Sequence, residues 1–126
     1  MDRKKKILIV EDNEKDLQIV VEHLSDENYE IITERNGEDA LDYMEMEKPD
    51  LIILDLILPE IDGFQICQKV NKARSNWNPK VIIITALTPV LDKFKSDWLE
   101  KTQANALLTK PVSKEELLSR IKSLLD

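Results

Sequence analysis

Short apolar runs alternate along the chain with longer segments in which apolar residues recur at helical spacing. This alternation is typical of a chain in which strands alternate with helices. Two of the runs, LIIL and VIII, are apolar at every position, so we expect both faces of these strands to be buried, as in a parallel sheet covered by helices. The predicted strands span residues 7–10, 30–33, 51–54, 81–84 and 106–108.

A helical segment follows each predicted strand, and no linker or internal repeat interrupts the series. Thr88-Pro89 would open the fourth helix, and Ser113 with Glu116 predicts a capping box before the fifth. We therefore predict an α/β fold, a doubly wound, five-stranded parallel sheet in the order 2-1-3-4-5 with helices on both faces. The apolar stripes of the predicted helices cover residues 17–24, 40–44, 64–70, 90–98 and 117–125.

Reactive side chains follow the ends of four predicted strands. Glu11 and Asp12 follow the first strand, Asp55 the third, Thr85 the fourth and Lys110 the fifth. In a doubly wound sheet, ligands bind outside the carboxyl ends of the strands. The sequence therefore predicts a site in which three carboxylates, a hydroxyl and an ammonium group meet.

This set of side chains favours phosphoryl chemistry. Three adjacent carboxylates repel each other unless a cation compensates them, and an all-oxygen set suits Mg²⁺. A lysine and a hydroxyl beside the metal would stabilise a phosphoryl group, and a central carboxylate can act as the nucleophile. We expect Asp55 to be that nucleophile because the other groups flank it on both sides. Glu11 and Asp12 could instead be ordinary acids at the start of a helix that Asn13 caps.

The composition and charge of the chain argue against several further classes of function. With 25 acidic against 18 basic residues, the net charge of −7 disfavours direct binding to nucleic acid or to anionic membranes. Only two glycines occur, which excludes a glycine-rich phosphate-binding loop, and the single Cys67 is expected to pack as a reduced thiol. The four apolar residues after the basic start are too few for a signal segment, so we expect one cytoplasmic domain.

Four motifs make the sequence similar to the receiver domains of two-component response regulators over residues 5–126. In chain order they are ILIVEDN, LIILDLILPEIDG, VIIITA and LLTKP. The resemblance implies a CheY-like fold that acts as a phosphorylated signalling module. A sensor histidine kinase, or a histidine phosphotransfer protein, would pass a phosphoryl group from a phosphohistidine to Asp55.

The resemblance also assigns roles to individual residues. Lys110 would contact the phosphoryl group, and Thr85 would report its presence. Signals would leave through the fourth helix, the fifth strand and the fifth helix toward a downstream effector, and phosphorylation could favour a homodimer. Four positions would hold Mg²⁺, namely Asp12, Asp55 and the backbone carbonyl of Ile57 directly, and Glu11 through water.

Two residues depart from the pattern of this family. Leu107 stands where an aromatic residue is usual, and Gln103 stands where glycine is usual. We expect phosphoryl transfer to survive these changes and the conformational readout to differ. A cis peptide bond between Lys110 and Pro111 is expected, because the chain must turn sharply there while Lys110 points at the site. We expect no effector domain in this sequence.

Three other functions compete with this interpretation. A flavodoxin-like carrier would need serine, threonine and glycine after the first strand, where this chain is acidic. A phosphatase of the haloacid dehalogenase type would need a second aspartate at the position of Ile57. A receiver-like module that signals without phosphorylation stays open, although the full set of reactive residues argues against it.

Overall fold

The predicted sheet is present in the computed structural model, which describes residues 3–58, 61–74, 77–86 and 95–126. Within these ranges, five parallel strands form one sheet in which the second strand lies at one border and the fifth at the other. The order 2-1-3-4-5 is confirmed. The strands are β1 (Lys5–Val10), β2 (Tyr29–Glu34), β3 (Leu51–Leu54), β4 (Lys80–Thr85) and β5 (Ala106–Thr109).

Four of the described helices begin at side chains that accept hydrogen bonds from the first helical turn. Asn13, Asn36, Asp62 and Ser113 each occupy an N-cap position. Ser113 accepts from the amide of Glu116 as predicted, while the complete reciprocal box joins Asp62 and Gln65. The helices are α1 (Glu14–Leu24), α2 (Gly37–Glu47), α3 (Gly63–Lys72), α4 (Lys95–Thr102) and α5 (Lys114–Leu125).

Two apolar layers cover the sheet, one on each face. Alternate residues of the central strands point to opposite sides, so Ile53 belongs to the layer with α1 and α5, and Ile52 to the layer with α2 and α3. All four residues of β3 are buried. The prediction that the fully apolar runs are covered on both faces is therefore confirmed.

One prediction concerns positions that the structure describes only in part. The start of the fourth predicted helix, including Thr88 and Pro89, lies outside the described residues, and so does the side chain of Trp98 at the end of its apolar stripe. The described helix α4 begins at Lys95. Within the described ranges, no helix has the length and apolarity needed to cross a membrane.

The unusual Gln103 lies just after α4 in the left-handed region of backbone conformation, with a φ of 56°. Its amide donates a hydrogen bond of 2.9 Å to the carbonyl of Leu99, which ends the helix. A side chain in this conformation is strained, because its Cβ approaches the following carbonyl oxygen. The backbone at position 103 thus has the geometry that glycine adopts most easily.

Gly63 places the start of α3 directly against the segment that follows β3. A Cβ atom at this position would lie 2.6 Å from the carbonyl oxygen of Asp55 and 2.6 Å from Cα of Leu56. The amide of Gly63 also donates a hydrogen bond of 2.9 Å to the carbonyl of Leu56. Glycine is therefore required here by close backbone approach, and this contact fixes the position of Asp55.

Candidate functional site

Lys110 lies at the centre of a cluster of carboxylates at the carboxyl edge of the sheet. Its Nζ is 2.7 Å from Oε1 of Glu11, 2.8 Å from Oδ2 of Asp16 and 2.7 Å from Oδ2 of Asp55. The residue follows β5, and its amide donates to the carbonyl of Thr85 on the neighbouring strand. The sheet order therefore brings together side chains that are as many as 99 positions apart in the sequence.

Asp55 has a partner on each of its carboxylate oxygens. Oδ1 accepts hydrogen bonds from the Thr85 hydroxyl at 2.8 Å and from the amide of Ile57 at 3.0 Å, while Oδ2 accepts from Lys110. The residue is buried, and its own amide donates to the carbonyl of Val10 on β1. The carboxylate is therefore held in one orientation, as pre-organised catalysis requires.

The pKa values of Glu11 and Lys110 are both raised, which disfavours the charged form of the acid and favours that of the base. Desolvation raises the pKa of the Glu11 carboxyl, although Lys110 and the amide of Asn13 favour its charged form. Burial by itself lowers the pKa of the Lys110 ammonium, but hydrogen bonds to Asp16, Asp55 and Glu11 outweigh it and hold that pKa above the ordinary lysine value. Lys110 is therefore a permanent cation at neutral pH.

An open cleft of about 470 Å³ gives solvent access to this cluster. Asp12 and Ile57 line the cleft together with Asp55, Thr85 and Lys110. Asp12 is exposed, and the Ile57 side chain is 60% exposed. The predicted residues therefore share one cavity, in which Asp55 and Thr85 form the buried floor and Asp12 and Ile57 the open side.

The Lys110 ammonium contacts Glu11 and Asp55 and compensates their charge. Glu11, Asp55 and Lys110 all follow the carboxyl ends of their strands, and their side chains meet beyond those ends. In the described ranges, no three acidic, histidine or cysteine side chains are grouped as metal ligands. The Mg²⁺ site expected from Asp12, Asp55 and the backbone carbonyl of Ile57 stays a prediction.

Asp16 is the one contact of Lys110 that the sequence analysis missed. It lies in the first turn of α1, where acids are common because they favour the helix N-terminus. Its amide donates a hydrogen bond of 3.0 Å to the side chain of Asn13, the N-cap residue. A signal was available, since a helix that starts three residues after β1 must place its first turn above the same edge of the sheet.

The segment after Lys110 is tied to α1 by His23. Nε2 of His23 lies 2.9 Å from the carbonyl oxygen of Val112 and donates to it. The Lys110–Pro111 peptide bond is cis, as predicted. His23 is partly buried and joins α1 to the loop that carries the lysine.

Comparison with known proteins points to one family. A family model of the response regulator receiver domain matches residues 7–122. The response regulator ArlR of Staphylococcus aureus is 41% identical over 120 residues, which are 94% of this chain and 52% of that protein. The regulatory protein PhoP of Bacillus subtilis, named for alkaline phosphatase synthesis, is 36% identical over 121 residues, which are 96% of this chain and 48% of that protein.

Solved structures agree with the family match. The chemotaxis response regulator CheY4 of Vibrio cholerae superposes with a TM-score of 0.83 at 27% identity, covering 98% of this chain and 100% of that one. The chain spans about half the length of the curated relatives named above. On the match over residues 7–122 and the shared fold, the chain belongs to the receiver domains of two-component response regulators, which are CheY-like signalling domains.

Proposed function

We propose that residues 5–126 form a receiver that accepts a phosphoryl group on Asp55 from the phosphohistidine of a sensor histidine kinase or histidine phosphotransfer protein. One observation carries this proposal. The Asp55 carboxylate lies at the floor of an open cleft, with an ammonium on one oxygen and a hydroxyl on the other. Such a group is oriented for attack and is accessible to an incoming donor.

The transfer exchanges one bond to phosphorus for another. An oxygen of the Asp55 carboxylate would attack phosphorus, and the bond between phosphorus and the donor's ring nitrogen would break. The electron pair of that bond goes to the nitrogen, which leaves as neutral imidazole when the other ring nitrogen carries a proton. The product on this chain is an acyl phosphate, so the chain is the acceptor of a signal and not an enzyme that turns over a separate substrate.

Lys110 and Thr85 have distinct roles in this proposal. The Lys110 ammonium would donate to an equatorial oxygen of the phosphoryl group, where negative charge develops in the transition state. The Thr85 hydroxyl donates a hydrogen bond to Asp55, and it would donate to a phosphoryl oxygen instead once one is present. Thr85 is the last residue of β4 and pairs with Thr109 on β5, so its movement would reach the border of the sheet.

The donor set at the cleft fits Mg²⁺. Asp12 and Asp55 offer carboxylate oxygens, Ile57 offers a backbone carbonyl, and the open side of the cleft leaves room for the waters that this ion retains. Glu11 would take part through water, because its carboxylate is occupied by Lys110 and by the amide of Asn13. When bound, the ion would supply positive charge that compensates the carboxylates and the phosphoryl oxygens.

The output surface would be α4, β5 and α5, facing a downstream effector or a second phosphorylated copy. Leu107 lies on β5 and is half-buried against the apolar layer that contains α2 and α3. It fills space without a polar edge, unlike the aromatic residue usual at this position. We propose a cytoplasmic module that acts on proteins, consistent with the charge of −7.

Intact-mass analysis after incubation with acetyl phosphate and Mg²⁺ tests the proposal. We expect the parent chain to gain one phosphoryl group and Asp55→Asn to gain none. Asp62→Asn is the matched control, because it removes a nearby carboxylate while asparagine still caps α3. Labelling of Asp55→Asn, or labelling of the parent that is unaffected by a chelator, would contradict the proposal and favour a module that signals by binding alone.

A further inference from the structure

The Lys110 ammonium lies against three carboxylates. Nζ is within 2.8 Å of one oxygen each from Glu11, Asp16 and Asp55, and it donates hydrogen bonds to Asp16 and Asp55. The side chain is 16% exposed, which leaves little room for a further partner. A phosphoryl oxygen must therefore displace one carboxylate to approach the ammonium.

The three carboxylates differ in how costly their release would be. The side chains of Glu11 and Asp55 are each 7% exposed, whereas that of Asp16 is 33% exposed. A buried carboxylate that loses its cation is left without compensation, while an exposed one is hydrated instead. Asp16 also retains its favourable position in the first turn of α1. It is therefore the carboxylate that Lys110 can exchange most easily.

We propose that Asp16 is a positioning residue that competes with the phosphoryl group for Lys110. Asp16 accepts a hydrogen bond from the ammonium and holds it over the cleft until a donor enters. The ammonium then donates that hydrogen bond to a phosphoryl oxygen, and the Asp16 carboxylate becomes hydrated. This inference rests on the proposed function of Asp55. Removing Asp16 frees one donor of Lys110 and removes one negative charge beside an anionic donor, so phosphorylation becomes faster.

The rate of phosphorylation by acetyl phosphate measures this competition. In that reaction an Asp55 oxygen forms the new bond to phosphorus, and the bond from phosphorus to acetate breaks with its electron pair leaving on acetate. We expect Asp16→Ala to be labelled about three- to fivefold faster than the parent, as for loss of a partly exposed ion pair. Asp16→Glu, which keeps a carboxylate within reach of the lysine, should return to the rate of the parent.

A matched control separates the contact from the charge. Glu14→Ala removes an acid from the same helical turn, but Glu14 pairs with Arg35 and not with Lys110, so its labelling rate should stay near that of the parent. NMR supplies a readout besides labelling. The Lys110 ammonium protons should exchange with water faster in Asp16→Ala than in the parent, and at the rate of the parent in Glu14→Ala.

The outcomes distinguish this inference from the function on which it rests. A parent chain that acetyl phosphate does not label would overturn both. If the parent is labelled but Asp16→Ala is labelled at the same rate or more slowly, only the role of Asp16 is wrong. An equal acceleration in Glu14→Ala would also overturn it, because the effect would then be one of net charge. Circular dichroism of each variant checks that α1 still forms.

Discussion

The hydroxyl of Thr85 donates a hydrogen bond of 2.8 Å to Oδ1 of Asp55, and both residues are buried. This bond joins the end of β4 to the segment that follows β3. A phosphoryl group on Asp55 would draw the hydroxyl away from its present acceptor. Phosphorylation of Asp55 would therefore act on β4 through this bond.

We expect Thr85→Ala to accept a phosphoryl group and to lose the structural response to it. The variant keeps Lys110 on Asp55 but removes the hydroxyl that links β4 to the site. The measurement is the change in backbone NMR shifts of β5 and α5 on addition of acetyl phosphate and Mg²⁺. Thr85→Ser is the control, since it keeps the hydroxyl and should keep the response. A full response in Thr85→Ala would show that the signal takes another route.

Leu107→Ala should lose stability and keep the response. A half-buried leucine leaves a small cavity when it is truncated, so we expect a decrease of about 2 kcal/mol in the free energy of unfolding, at the low end for leucine. Urea unfolding gives this value, and the NMR response to acetyl phosphate should match that of the parent. A folded variant without the response would mean that Leu107 switches between two positions.

The acyl phosphate should be long-lived, and Ile57→Glu should shorten its lifetime. The exposed Ile57 side chain lines the cleft but has no group that orients water. Its backbone amide already donates a hydrogen bond to the Asp55 carboxylate. A carboxylate there could direct a water molecule at phosphorus, and we expect hydrolysis about three- to tenfold faster. Decay of the phosphorylated mass after removal of the donor measures the rate, with Ile57→Leu as the apolar control. Equal decay in both variants would show that the attacking water is positioned by other groups.

Gln103→Gly should stabilise the fold by about 1 kcal/mol, because glycine tolerates the left-handed conformation that strains glutamine. Thermal or urea unfolding measures the change. Gln18→Gly is the opposite control, because position 18 is exposed within α1. Glycine inside a helix should lower the free energy of unfolding by about 1 kcal/mol. Loss of stability in Gln103→Gly would show that the side chain makes a contact worth more than the strain.

Cys67 should resist alkylation in the folded chain. Burial raises the pKa of its thiol from 9.0 to about 12, so almost no thiolate exists at pH 8. Because the folded value is the higher one, this group favours the folded state below pH 9.0, and that contribution is lost as the pH rises toward about 12. Iodoacetamide should react with Cys67 only after unfolding in urea. Rapid labelling without denaturant would reveal local opening of α3.

The strand order and the residues at the strand ends were predictable because they follow from simple patterns. A run such as LIIL can be buried only between two layers, and the next residue, Asp55, then lies at the edge of the sheet. The pairing of charges was not predictable in the same way. Spacing along the chain does not show that Lys110 reaches Asp16, because that contact depends on the distance between a helix and a strand 94 positions away.

The packing of Gly63 against the Asp55 backbone has a mechanical consequence. The two backbone segments are joined by the 2.9 Å hydrogen bond from Gly63 to Leu56 and leave no room for a Cβ atom between them, so a shift of Asp55 toward α3 on phosphorylation would push the first turn of that helix. The capping box of Asp62 and Gln65 stiffens that turn. The helix would then tilt as a rigid body about its first turn near Asp55, and its far end, near Lys72, would show the larger displacement.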